Sequence, residues 1–368
     1  MRRRLLAVLL VVPAVALMLT ESPPPARGCA PAPPKGGHVD VASETAIIVW
    51  DEATKTQHFV RTASFATTSA EFGFLVPTPT VPELSEATAD GFSTLSRATA
   101  PRTVVEYRDP EFGCGMKRNV TMVAGAATPD AAVQVLARQR VGAFDAAVLK
   151  ADDPKALREW LLTNGYDARP ELEGWLNVYT ANKWVVTAFK VAADVKPAAG
   201  GAAPLSIDGS VVRMSFQTDT PFFPYREPAD QRATARPRSL RVYVLADARF
   251  DGRLGDGSAG WPGRAVWADR IDAGTFAVVA KAGKLPDGLA GRDWWLTEFE
   301  DESSPRPGTD EVYFVRSPDQ STLERPPHVR YEYRTWPAWV GVAPSTAATV
   351  GLVAVLALVT WRLMRRPA

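Results

Sequence analysis

The sequence predicts an α+β fold: antiparallel or mixed sheets around a strand-helix-helix-strand unit, with one transmembrane helix at the C-terminus. Three observations carry this reading. Two amphipathic helical stripes lie in succession between Pro154 and Lys183. Strand-like apolar segments flank them and recur along the chain. An uncharged apolar run, Ala338 to Thr360, ends against a cluster of arginines.

The central unit runs from Val141 to Val191. Val141 to Lys150 alternates with a period of two, placing Phe144, Ala146 and Val148 on one face of a half-buried strand. Asp153 is a helix N-cap, because its carboxylate can accept from the free amides of the first turn, and Pro154 follows where a missing N–H costs nothing. Leu157, Trp160 and Leu161 form one apolar stripe, ended by Asn164-Gly165, since glycine enters a left-handed C′ position without a Cβ clash. Pro170 restarts a helix with the stripe Leu172, Trp175, Leu176 and Tyr179. Lys183 then sits near the negative end of the helix dipole. Trp184 to Val191 is a strand by composition.

On the N-terminal side, Val41 to Trp50 and Gln57 to Ala63 read as a hairpin around Asp51 to Thr54. Phe72 to Pro82 is an apolar strand that runs into Pro77, Pro79 and Pro82, which force an extended path. Leu84, Ala87, Phe92 and Leu95 suggest a helix beginning at Pro82. Thr103 to Tyr107 and Arg118 to Val123 read as strands, and Thr128 to about Gln139 as a capped helix. Beyond the linker-like Lys196 to Pro204, strands are expected at Ser210 to Gln217, Leu240 to Ala246, Ala265 to Trp267, Trp294 to Phe299 and Val312 to Val315, with loops between.

The ends address the chain to the envelope. Arg2 to Arg4 and the apolar Leu5 to Leu19 form a secretory signal over residues 1–28, with small residues Ala26 and Gly28 before Cys29. Lipidation of Cys29 is the alternative outcome at the same site. Residues 29–336 then form an extracytoplasmic domain, with a subdivision expected near 196–204. Residues 337–361 are expected to span the membrane, flanked by Trp336, Trp339 and Trp361. Arg362, Arg365 and Arg366 place the tail 362–368 in the cytoplasm by the positive-inside rule.

Composition excludes several functions. With 42 basic and 41 acidic residues in 368, there is no electrostatic footprint for nucleic acid. Neither a GxxxxGK[ST] nor a GxGxxG loop occurs, so nucleotide binding lacks its cradle. Cys29 and Cys114 are the two cysteines; outside the cytoplasm they are a disulfide candidate, with a free Cys114 thiol as the competing reading. His38, His58 and His328 are scattered, supply no metal-ligand spacing, and meet no GxSxG elbow. His58 reads as a cross-strand residue rather than a base. The acidic stretches Asp251 to Gly257 and Glu298 to Glu311 lack EF-hand spacing.

The runs SETAIIVWDEATKTQHFVRTASF, FGFLVPTPTVPEL, VGAFDAAVLKADDPKALREWLLTNGY and WVVTAFKV, followed by TPFFPYREP, resemble the bacterial family catalogued as domain of unknown function 2330. The likeness covers most of Cys29 to about Tyr225 and extends more weakly to Pro326 to Pro337, read as a stalk into the membrane. It implies a secreted or membrane-anchored domain. It brings no assigned activity, so no catalytic positions carry over.

The expected function is therefore that of a membrane-anchored extracytoplasmic binding or structural protein, without catalysis, metal or cofactor. Its partner is a protein or envelope component, and the membrane is engaged through the C-terminal helix. The candidate interface comprises Phe74, Pro77, Pro79, Pro82, Tyr225 and Arg226. Two alternatives stand beside it. One is an envelope hydrolase with a non-standard site, built from two close carboxylates or from Cys114 near His38 or His58. The other is a carbohydrate-binding module using Trp294 or Trp295, because adjacent strand residues point to opposite faces.

Overall fold

The structure, a computed structural model, describes residues 30–32, 39–67, 73–108, 134–166, 168–192, 211–232, 239–333 and 338–364. Its strands are β1 (Ala30–Ala32), β2 (Val39–Asp51), β3 (Thr56–Thr67), β4 (Gly73–Thr78), β5 (Glu83–Ala87), β6 (Thr103–Arg108), β7 (Gln134–Val141), β8 (Phe144–Lys150), β9 (Val185–Val191), β10 (Val211–Gln217), β11 (Phe222–Phe223), β12 (Ser239–Ala246), β13 (Phe250–Leu254), β14 (Arg264–Ile271), β15 (Trp294–Asp301), β16 (Val312–Arg316) and β17 (His328–Tyr333). The helices are α1 (Asp90–Ala98), α2 (Pro154–Thr163), α3 (Pro170–Ala181), α4 (Ala229–Arg232), α5 (Ala273–Ala282) and α6 (Ala338–Met364).

Two sheets dominate. One has five strands in the order β1-β4-β9-β8-β7; the other has seven in the order β14-β15-β12-β2-β3-β10-β5. The central strands of each are buried on both faces, and period-two alternation sorts the side chains. In β2, Ala46, Ile48 and Trp50 join the core between the sheets, whereas Ile47 and Val49 face α1 and α5. In β8, Phe144, Ala146 and Val148 enter the same inter-sheet core, whereas Ala147 and Leu149 meet α2 and α3. The result is four layers, α/β/β/α. Each fully buried Leu, Ile or Phe side chain contributes roughly 1.5–3 kcal/mol by leaving water. A three-stranded sheet, β11-β16-β13, closes one side, and β6 pairs with β17 in parallel.

The strand-helix-helix-strand unit is present as β8-α2-α3-β9. Asp153 caps α2, accepting from the amides of Lys155 and Ala156 at 3.1 Å each. Gly165 takes φ 82°, and Tyr166 N–H returns to the Leu161 carbonyl at 2.9 Å. Lys183 has φ 60° and pairs with Asp152 at 2.9 Å, holding the end of α3 against the start of α2. The β2-β3 hairpin also lies where expected, its turn fixed by Asp51, which accepts from Ala53 N–H at 3.1 Å and Thr54 Oγ1 at 2.9 Å.

Several expectations are corrected. The class is mostly β, with 42% strand and 26% helix in mixed and antiparallel sheets, rather than α+β with a transmembrane helix. Segments read as loops are strands, as in β13, because cross-strand pairing compensates for glycine and aspartate. Val141 to Lys150 is not one strand: Gly142, at φ 58°, turns β7 into β8. Gln134 to Gln139, read as the end of a helix, is strand β7, and Leu84 and Ala87 belong to β5 with the helix starting only at Asp90.

The C-terminal helix α6 forms, but among the described residues no helix is long and apolar enough to cross a membrane. The expected signal (1–28), the linker 196–204 and the strand Arg118 to Val123 lie outside the described residues.

A candidate binding cleft on the helical face of the large sheet

Strand pairing assembles a polar row that no single segment encodes. His58 of β3 stands opposite Val49 of β2 and Ser215 of β10, and Ser215 stands opposite Glu83 of β5. These residues share the face that farther along carries Ile47, Val60 and helix α5. At this end of the sheet α5 has finished, and the turn Asp287–Leu289 follows it. A cleft of about 710 Å³ remains, lined among others by Asp51, Thr56, His58, Ser215, Gly288 and Arg292.

His58 is buried, and its Nδ1 lies 2.9 Å from Ser215 Oγ in a hydrogen bond whose direction follows the ring tautomer. No described residue hydrogen-bonds Nε2. Burial pushes the ring pKa down to about 4, with the positive charge of Arg213 adding to the effect, so the imidazole is neutral at pH 7. Arg213 is itself held by the Glu83 carboxylate and the Lys284 carbonyl. Across the cleft, Arg292 donates to Asp51 Oδ1 at 2.6 Å and Oδ2 at 3.4 Å. Burial raises the Asp51 pKa, but hydrogen bonds from Arg292 and Thr54 outweigh it and hold the carboxyl below its usual value. Each cation is thus matched by a carboxylate, and the cleft is polar but balanced.

The residues expected from sequence to form a surface are differently placed. Phe74, Pro77, Pro82 and Tyr225 are buried and Pro79 is half-buried. Phe74 stacks on Phe189 with ring centroids 4.8 Å apart. Tyr225 Oη donates to Asp301 at 2.6 Å, and Arg226 donates to Asp310 at 2.7 Å. They are core and loop-fixing residues, brought inward because both faces of each sheet are covered. Trp294 and Trp295 are both buried too. Trp294 stacks on Phe276 and donates to the Leu289 carbonyl, while Trp295 lies beneath Arg270. Neither indole is presented to a glycan.

Cys29, Cys114 and His38 lie outside the described residues, and His328 begins β17. Glu298 is fully buried and paired with Arg241 at 3.1 Å and Arg325 at 2.8 Å, which makes that acidic stretch a structural network. Among the described residues no group of three or more His, Cys, Asp or Glu could hold a metal ion. Ser215, Gly288 and Arg292 are the cleft residues that sequence reasoning missed. The pairing of β3 with β10, 157 positions apart at His58–Ser215, brings Ser215 to His58, and the Arg292–Asp51 ion pair fixes the segment carrying Gly288 and Arg292 at the cleft.

Comparison with known proteins places the chain. The family model described as an uncharacterised protein conserved in bacteria, domain of unknown function 2330, matches residues 23–310. This chain belongs to that family. The family match takes in the whole cleft, from Asp51 to Arg292. No curated protein matches the chain. Among solved structures, the crystal structure of baculovirus P35 is similar at 8% identity, covering 78% of this chain and 96% of that one with a TM-score of 0.31. A score this low bears on neither fold nor function.

Proposed function

We propose that this family member is a non-catalytic binding module that holds an uncharged, hydroxyl-rich ligand, a sugar unit, in the cleft beside His58. The observation that carries the proposal is the charge-balanced lining. Asp51 with Arg292 and Glu83 with Arg213 leave no net charge to attract an ion, while offering carboxylate and guanidinium edges that suit vicinal hydroxyls. Thr54, Thr56 and Thr80 add hydroxyls, and Val81 and Pro286 supply apolar surface for a ring's C–H face. The charged Arg2 to Arg4 and apolar Leu5 to Leu19 support export, which would bring the cleft to envelope glycans.

The Ser215–His58 pair invites a hydrolase reading, which the geometry supports less well. A serine nucleophile works with a base oriented by a third group and with N–H donors aimed at the oxyanion. No described carboxylate hydrogen-bonds the His58 ring. Ser215 sits inside β10 between β3 and β5, where neighbouring strands occupy the backbone donors.

Calorimetric titration of the full chain with cellobiose, maltose and N,N′-diacetylchitobiose tests the proposal. Saturable binding of at least one, lost in Gly288→Trp, is expected. A Cβ at Gly288 meets nothing within 4 Å, so the substitution has room at its base, and an unchanged melting temperature checks that the variant keeps the fold. Absence of binding to all three, or equal binding by Gly288→Trp, overturns it.

A further inference from the structure

The polar groups of the cleft beside His58 fall into two sets: those satisfied within the protein and those left over for a ligand. Asp51 belongs to the first. Its Oδ1 accepts from Ala53 N–H at 3.1 Å and from Arg292 Nη1 at 2.6 Å. Its Oδ2 accepts from Thr54 Oγ1 at 2.9 Å and from Arg292 Nη2 at 3.4 Å. These bonds fill the lone-pair sites of a carboxylate. The hydroxyl protons of Thr54, Thr56 and Thr80 are committed as well, to Asp51, the Thr54 carbonyl and the Gln217 carbonyl.

The donors left over are N–H groups. Among the described residues Ser215 Oγ–H has no acceptor other than His58 Nδ1, 2.9 Å away. The hydroxyl proton therefore points at Nδ1, and the neutral ring carries its own proton on Nε2. His58 lines the cleft, so this N–H is offered to whatever enters it. Across the cleft, Arg292 spends its Nε–H on the Gly288 carbonyl and one N–H from each Nη on Asp51, so each Nη keeps a second.

A sugar hydroxyl matches this arrangement poorly. Against His58 Nε2–H it accepts one bond but must also donate one, and Asp51 has no lone pair to spare. An amide carbonyl accepts twice and donates nothing. The N–H of the same amide can be met by Thr56, which stands two residues from His58 on the same face of β3 and whose oxygen remains an acceptor. Ring hydroxyls have the Glu83 carboxylate, whose side chain is 73% exposed.

Resting on the reading of the cleft as a sugar site, we propose that its ligand is an N-acetylated amino sugar, with the acetamido carbonyl held by His58 Nε2–H and Arg292 and the amide N–H held by Thr56. His58 sets the specificity, and Ser215 is a positioning residue that fixes the ring tautomer. The charge-balanced lining disfavours a sugar carboxylate in the same place, because an anion would leave water without meeting a net positive charge.

Calorimetry of the full chain compares N,N′-diacetylchitobiose with cellobiose, which carries hydroxyls where the first has acetamido groups. The acetylated disaccharide is expected to bind roughly ten-fold more tightly or better, the effect of one hydrogen bond that cellobiose leaves unmet. His58→Phe keeps a planar ring without the N–H and should remove most of that preference, with the melting temperature checking the fold. The ring 15N spectrum of the parent gives a readout that needs no variant: His58 should be protonated on Nε2, and saturation with diacetylchitobiose should shift that resonance. If neither disaccharide binds, this inference falls together with the sugar reading. Equal binding, or tighter binding of cellobiose, leaves the sugar cleft standing and overturns the acetamido assignment. So does a His58 ring protonated on Nδ1, or a folded His58→Phe that keeps the full preference.

Discussion

Gln57 and Phe222, 165 positions apart, are joined as if they were paired strands. The Gln57 Nε2 donates to the Phe222 carbonyl at 2.8 Å, and the Phe222 N–H donates to Gln57 Oε1 at 2.8 Å. A side-chain amide thus stands in for a peptide group and couples the seven-stranded sheet to β11 of the small sheet. Gln57 is 0% exposed, so water cannot substitute. Gln57→Leu leaves a buried N–H and C=O unmet and should cost about 3 kcal/mol in urea unfolding.

Glu311 plays a similar part between α3 and the Pro-rich segment after β11. It accepts from Tyr179 Oη at 2.6 Å, Tyr225 N–H at 2.8 Å and Arg226 N–H at 3.1 Å. Burial raises its pKa despite these donors. Glu311→Ala strands three buried donors and should destabilise by about 4 kcal/mol. Glu311→Gln keeps an acceptor and should lose less. The order of the two melting temperatures is the check.

Stability should fall on acidification through His58. Its pKa is about 4 in the folded chain against 6.5 as the ordinary value, so between these pH values the unfolded state binds the extra proton. Stability therefore rises with pH across this window, is fully present above 6.5, and is lost as pH falls toward 4. The span corresponds to about 3 kcal/mol. His58→Gln should reduce the fall in unfolding free energy, measured by urea titration between pH 6.5 and pH 4, by about 3 kcal/mol relative to the parent.

Two glycines should respond oppositely to alanine. At Gly73 a Cβ would lie 2.5 Å from Tyr166 and 2.6 Å from the Phe189 carbonyl, and neither neighbour can retreat from a packed sheet. Gly73→Ala should destabilise by about 1–3 kcal/mol. Gly174 lies within α3 with open space around it, and Gly174→Ala should stabilise by roughly 0.5–1 kcal/mol, since alanine gives up less backbone entropy. Differential scanning calorimetry distinguishes the two signs.

Local chemistry was legible in the sequence wherever a pattern acts over a few residues. Asp153-Pro154 starts α2, Asn164-Gly165 ends it, the Leu172-to-Tyr179 stripe faces a sheet, and Asp51 turns the β2-β3 hairpin. Each follows from hydrogen bonds or side-chain spacing within about two helical turns. Family membership was legible for a related reason: the order of such local runs survives as a string of letters.

Tertiary structure alone decided what those elements build. Gln134 to Gln139 became part of a strand because β8 offers it a ladder, against its helical spacing. Phe74, Tyr225, Trp294 and Trp295 went inside because a second layer covers what a lone sheet would expose. The His58–Ser215 pair exists only through the β3-β10 register, and the Tyr166 ring lies on the five-stranded sheet only because Gly73 has no Cβ beneath it. Long-range strand pairing depends on which segments meet, and no local sequence pattern states that choice.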